Sequence, residues 1–311
     1  MGERMFSVRK GLISGFGKGW RGFLWMMKII VPVSLLTSLL AWSGWMGKLD
    51  FLLQPLMALI GLPPMAALPL VIGMLGGIYG GIAAMVVLPF SPEQMTLLAI
   101  FLLMAHNMIQ EGIVQARSGI HPLKATLFRI IAALITVVLV APLLGSSAAA
   151  VPPQGGLVAQ TIPLIDMLKG WGLTTLRLCI LVFLIIMTIL TLLEILKETG
   201  FIHPLVRILS PFLKIMGLDD RVGFLWMTAV IFGLTYGGAV IVEETRGNSL
   251  SVEDLETLHL SIGINHSMVE DPLLFIVLGL SAFWLYVPRL IMAILLVRLL
   301  RLWHHFSGFR G

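Results

Sequence analysis

Two short stretches of this 311-residue chain carry the side chains best suited to chemistry. The first reads Ala105-His106-Asn107-Met108-Ile109-Gln110-Glu111-Gly112, and the second Asn265-His266-Ser267-Met268-Val269-Glu270-Asp271-Pro272. In each, a histidine is followed by two residues ending in a carboxyl or carboxamide group, inside an apolar run. Ionisable groups at membrane depth are costly, and they usually face a water-filled cavity and mark a transport path or proton relay. Imidazole beside carboxylate suits proton coupling, because its unperturbed pKa of about 6.5 lies near physiological pH. The same pair of ligand types suits Fe²⁺, Mn²⁺ or Zn²⁺, with His106, Glu111, His266 and Glu270 as the candidate metal ligands. On a continuous helix His266 and Glu270 share a face, as do His106 and Gln110, with Glu111 next along. Gly112 and Pro272 would end or kink such helices and leave dipole ends pointing into the protein. A plainer reading is that these groups bond one another and hold two halves of the chain together. Asn107 against Ser267 and Gln110 against Glu270 make the pair of stretches unequal. His259 has no counterpart in the first stretch, where Ala99 stands, and reads as an interfacial polar residue.

The elements that position these residues must sit in lipid. Apolar residues make up 58% of the chain and charged residues 12%, against about 45–50% and about 25% in soluble domains. Soluble enzymes, nucleic-acid-binding modules and disordered scaffolds are therefore poor readings. The single cysteine, Cys179, excludes an intrachain disulfide and a thiolate metal cage. A crossing helix needs about 20 mostly apolar residues, and runs of that kind lie near 24–46, 66–90, 123–144, 172–193, 222–242 and 283–303. The stretches 92–112 and 254–280 are interrupted by polar residues, whereas 49–61 and 203–217 are too short to span. Basic residues prefer the cytoplasmic side. With 92–112 and 254–280 as re-entrant hairpins, the N-terminal basic set, Arg117/Lys124/Arg129, Lys197 to Arg221 and the C-terminal arginines all fall there. The acidic segment Glu243 to Glu256 and the linker then fall outside. The expected fold is all-α: a polytopic membrane protein with about six crossing helices and two re-entrant hairpins, its termini cytoplasmic in a bacterial-type inner membrane.

Self-similarity orders these elements. Gly19-Trp20 matches Gly170-Trp171, Pro55…Gly61-Leu62 matches Pro211…Gly217-Leu218, and Tyr79-Gly80-Gly81 matches Tyr236-Gly237-Gly238. His106-x-Met108 matches His266-x-Met268, and Arg129 matches Arg289, at offsets that rise in chain order. Three crossings per copy make the two copies opposite in orientation, as in many secondary transporters whose site lies where the repeats meet. The copies span 1–145 and 170–311, joined by an extracytoplasmic linker at 146–169. Glycine weakens a helix by about 1 kcal/mol relative to alanine. The paired triplets Tyr79, Gly80, Gly81 and Tyr236, Gly237, Gly238 therefore read either as close helix packing or as unwound backbone facing a ligand.

The arrangement Gln54-Pro55…Gly61-Leu62-Pro63 before Tyr79-Gly80-Gly81, repeated as Ser210-Pro211…Gly217-Leu218-Asp219 before Tyr236-Gly237-Gly238, resembles the nucleoside-recognition or gate-domain family. That family includes the spore maturation proteins A and B and gate segments of concentrative nucleoside transporters and ferrous-iron permeases. The resemblance implies a polytopic inner-membrane protein that permeates a solute. No phosphate-binding loop, nucleophile elbow or zinc-protease motif is present, so an enzyme is not expected. The expected function is a secondary transporter for a small polar solute, nucleoside-like or a small organic ion, coupled to H⁺ or Na⁺. A divalent-metal permease and a non-transporting scaffold or regulatory subunit are the alternatives. The substrate or ion site expected is His106, Asn107, Gln110, Glu111, Asn265, His266, Ser267, Glu270 and Asp271, with the two Tyr-Gly-Gly backbones. No cofactor is expected beyond a transported or coupling cation. The expected partners are the bilayer, the solute and a second copy of the chain, and nucleic acid is not among them.

Overall fold

The computed structural model describes residues 2–145, 162–200, 222–223, 225–227, 229–230, 241–243 and 251–307. Among them every regular element is helical: α1 (Gly2–Trp42), α2 (Trp45–Ala58), α3 (Ala67–Gly76), α4 (Ile78–Met85), α5 (Pro92–Ala105), α6 (Met108–Arg117), α7 (Pro122–Val140), α8 (Leu164–Glu198), α9 (Val252–Asn265), α10 (Glu270–Val277) and α11 (Ala282–Ser307). Among the described residues, five segments are long and apolar enough to cross a membrane: Phe6–Trp42, Pro92–Arg117, Pro122–Val140, Leu164–Glu198 and Ala282–His304. Residues 203–217, the linker at 146–161 and Tyr236, Gly237 and Gly238 lie outside the described residues.

The long helices α1 and α8 pack antiparallel along most of their length. A Cβ on Gly11, Gly15 or Gly19 would meet Ile195, Thr191 or Met187 in turn, while Ser34 bonds Thr175 and receives the Trp171 indole hydrogen. Glycines four apart let two backbones approach closely, the usual basis of helix pairing in lipid. At Gly15 an added Cβ would stand 2.5 Å from the Thr191 Cα, and backbone cannot yield as a side-chain tip can. Gly15→Leu is therefore expected to force α1 from α8 and cost about 1–3 kcal/mol, read as a lower melting temperature in detergent. Gly17→Leu is the control: that site meets only the end of the flexible Arg21 side chain.

The segment near 66–90 does not form one span. It breaks at Gly77, whose φ of 91° and ψ of 170° are open essentially to glycine alone. Helices α3 and α4 then lie side by side, with Gly73 against the Gly81 Cα, where a Cβ would come within 3.4 Å. A folding-back is thus formed at 67–85, where the sequence suggested a single span. Helices α5 and α6 share little contact, as do α9 and α10, and Pro92–Arg117 makes one bilayer-length segment through the break at His106 and Asn107.

Helix α5 begins at a capping box, Ser91 with Gln94, and has Pro92 at its first position. Every residue from Thr96 to Ala105 is buried, as befits a helix apolar all round at the centre of a bundle. Helix α9 begins likewise, with the Ser251 side chain accepting from the Asp254 backbone N–H. Helices α7 and α11 pack against both α5 and α9. The acidic segment also departs from expectation. Glu256 pairs with Lys124 and His304, and Glu253 pairs with His304, so these acids share the end of the bundle that carries basic groups.

Candidate functional site

Both broken helices break in the same way. His106 and His266 are extended residues ending α5 and α9, and Asn107 (φ 51°) and Ser267 (φ 49°) follow in the left-handed region. They are the only non-glycine residues there among those described. Backbone bent in this way cannot stay unpaired at membrane depth. The Asn107 N–H donates to the Gly73 carbonyl at 3.0 Å, stitching the break to the end of α3. In the second half Met268 N–H donates to Val230 O at 2.9 Å.

Two arginines close the carbonyl ends of the helices. Arg129, on α7 and 1% exposed, donates through Nε to Met104 O and through Nη2 to His106 O, each at 2.9 Å, and its Nη1 pairs with Glu111. It thereby ties the end of α5 to the first turn of α6. Arg289, on α11 and fully buried, donates to Ile264 O at 2.9 Å and His266 O at 3.2 Å. Its Nη1 has no hydrogen-bond partner. Asp271 occupies the place corresponding to Glu111 but is one methylene shorter, and no direct pair forms. A cation suits the carbonyl end of a helix, where the dipole is negative. Arg129, placed from sequence among the cytoplasmic basic groups, is thus a central structural residue. An arginine at matched positions inside two apolar helices was the available signal.

Between the breaks the two imidazoles meet. Nδ1 of His106 lies 2.8 Å from Leu102 O, and Nδ1 of His266 lies 3.2 Å from Ile262 O. A carbonyl only accepts, so each Nδ1 carries a hydrogen, and the neutral form of each ring presents a lone pair at Nε2. The two Nε2 atoms are 3.4 Å apart. Glu111 Oε1 lies 3.4 Å from His106 Nε2 and 3.1 Å from His266 Nε2, and Asp271 Oδ2 lies 3.5 Å from His106 Nε2. All four side chains are buried. With both rings neutral and both acids ionised, four acceptors converge, a state that a buried cluster sustains only with a proton or cation between the atoms.

Glu270 is not one of the four. The helix is broken after His266, so four-residue spacing does not place Glu270 beside the imidazole; its carboxylate accepts instead from the Tyr79 hydroxyl of α4. Tyr79→Phe leaves that carboxylate short of its donor and is expected to cost about 1–2 kcal/mol. Glu270→Gln keeps an acceptor for the hydroxyl and should melt close to wild type, so equal losses in both variants would refute this pairing. A cavity of about 550 Å³ opens beside the cluster, lined by Gly76, Gly77, Tyr79, Asn107, Gln110 and Ser267 together with the four acceptor residues and Glu270. Gly80 and Gly81 do not line it. They are helical and buried in α4 and serve its approach to α3, so unwinding occurs at Gly77. Asn265 is fully buried away from the cavity, and its amide has no hydrogen-bond partner. His259 is fully buried rather than interfacial, and its carbonyl accepts from Gln115 at 3.4 Å.

Several bilayer-length apolar helices around a buried polar cluster define a multi-pass membrane protein. Residues 23–119 match the Gate family model, described as nucleoside recognition. The uncharacterized membrane protein YvoD of Bacillus subtilis (strain 168) is 30% identical over 293 residues, covering 92% of this chain and 91% of that protein. The chain belongs to this nucleoside-recognition, or Gate, family of membrane proteins. No solved structure matches it.

Proposed function

We propose that this protein is a secondary permease of the bacterial-type inner membrane, not an enzyme, moving a small polar solute together with a cation. The observation that carries the reading is the meeting of His106, His266, Glu111 and Asp271 beside a cavity between two equivalent helix breaks. With Glu111, Glu270 and Asp271 ionised, Arg129 and Arg289 leave the centre one negative charge from neutrality, so a proton or other cation is attracted there. A cavity of this volume is of the size that accepts a small organic ligand, and the description of the family favours a nucleoside-like solute.

Two repeats of opposite orientation, 1–145 and 170–311, are supported by the antiparallel α1 and α8 and by arginine-to-carbonyl bonds repeated at equal offset. Each repeat then crosses three times: α1, α5–α6 and α7, followed by α8, α9–α10 and α11. The paired α3 and α4 enter and return on one side. This count puts both termini, the α6–α7 turn with Arg117 and Lys124, and the acidic segment in the cytoplasm, and leaves the linker outside. It satisfies the basic-inside tendency with different elements crossing from those the apolar runs suggest.

The test is uptake into proteoliposomes of purified, folded protein under an imposed pH or Na⁺ gradient, across a panel of nucleosides and small organic ions. Saturable, gradient-driven accumulation of at least one solute is expected. No accumulation above empty vesicles across that panel, with the protein folded and inserted, would refute the permease.

A further inference from the structure

We infer that His106, His266, Glu111 and Asp271 supply the ligands of a binding site for one divalent transition metal of the Zn²⁺ or Co²⁺ type. Three observations lead there. Four of the six separations among the acceptor atoms run from 3.1 to 3.5 Å, and His106, His266 and Asp271 bring ligand atoms within 4.8 Å of one another. Zinc binds imidazole nitrogen and carboxylate oxygen at about 2.0–2.2 Å, and a tetrahedron of that radius has edges of about 3.3–3.6 Å. The second observation is the tautomer: both Nδ1 groups donate to backbone carbonyls, the supporting bond that metal-bound histidines make almost without exception. The third is the state of the carboxylates. Asp271 Oδ2 is buried without a hydrogen-bond partner and faces His106 Nε2, and Glu111 offers Oε1 to both rings while Arg129 holds its other side.

The donor set also selects the ion. Two imidazoles and two carboxylates match borderline transition metals, whereas Ca²⁺ and Mg²⁺ take six or more oxygens and keep water. The site is shared between the halves, since one histidine and one acid come from each pair of broken helices. A metal there would fix the two breaks relative to each other. Its fate in permeation, as coupling ion or as cargo, rests on the permease reading; the binding itself rests on the donor geometry alone. Because the metal and protons compete for the same lone pairs, affinity should fall as pH falls.

The experiment uses full-length protein in detergent, stripped with chelator and titrated with Co²⁺ and then Zn²⁺. Expected are one Co²⁺ per chain with the intense visible absorption of four-coordinate cobalt, displaced by Zn²⁺. X-ray absorption of the Zn²⁺ form should show four nitrogen or oxygen neighbours, two of them imidazole. His266→Ala and Asp271→Asn should each weaken binding by more than the roughly 10–100-fold that loss of a supporting group costs. Absence of saturable binding, a six-coordinate spectrum, or binding unchanged in the His106→Ala/His266→Ala double variant would each overturn the site. The wild-type spectra decide the matter even if the variants fold poorly. Uptake without metal binding would refute this site and leave the permease standing, and binding without uptake would do the reverse.

Discussion

Arg129→Ala is expected to destabilise the protein by about 3–5 kcal/mol, a large part of the roughly 5–15 kcal/mol that holds a native fold together. The guanidinium serves three positions at once: the Met104 and His106 carbonyls and the Glu111 carboxylate. Alanine leaves two helix-end carbonyls unpaired and one carboxylate buried without its counterion. Lysine cannot replace it, because a single ammonium does not present the planar fork that spans three acceptors. Arg289→Ala should cost less, since that side chain makes no direct ion pair and its Nη1 is already without a partner. Arg129→Met/Glu111→Gln should recover part of the loss, as removing both charges avoids the stranded carboxylate. Melting temperature and monodispersity in detergent measure all four. If Arg129→Ala melts with the wild type, or Arg289→Ala is the more damaging, the account of the two arginines fails.

Much of this arrangement was legible in the chain. Composition set the solvent, and the histidines matched at an offset of 160 picked out the two rings that meet. Which stretch turns back was not legible. An interruption by His106, Asn107 and Gln110 reads equally as a hairpin tip or as a break in a crossing helix. The choice depends on packing: Gly77 and the Gly73–Gly81 contact let α3 and α4 pair, while Gly73 O satisfies the Asn107 N–H so that α5 can break and continue. The exchange of Glu270 for Asp271 has the same root. Four-residue spacing holds only along an unbroken helix, and the left-handed Ser267 shifts the register after His266. Arg129 was hidden for another reason: grouped with Arg117 and Lys124, it reads as one of the cytoplasmic basic charges. Its stem runs past Gly263, where even a Cβ would stand 3.0 Å from the arginine chain, and only the assembled bundle shows that space.

His106→Gln and His266→Gln should each bring gradient-driven uptake down to the level of empty vesicles while leaving the protein folded. Glutamine can present a donor or an acceptor in either pocket, so the local hydrogen bonding is largely kept. What it lacks is an imidazole ring, which holds an N–H on one side and a lone pair or second N–H on the other. The two rings share one centre, with Nε2 atoms 3.4 Å apart and Glu111 within reach of both. Loss of either ring therefore removes the shared lone-pair geometry, and the double variant should be no worse than either single one. Residues acting as a unit are non-additive in this way. Two independent sites would behave differently, each single variant retaining partial uptake and the double variant multiplying the losses. Exchange of labelled for unlabelled solute without a gradient separates coupling from binding. If exchange persists in the glutamine variants while accumulation is lost, the imidazoles couple the cation and the solute rests on the rest of the cavity wall. Full accumulation in either single variant would mean that this pair of rings has no part in coupling.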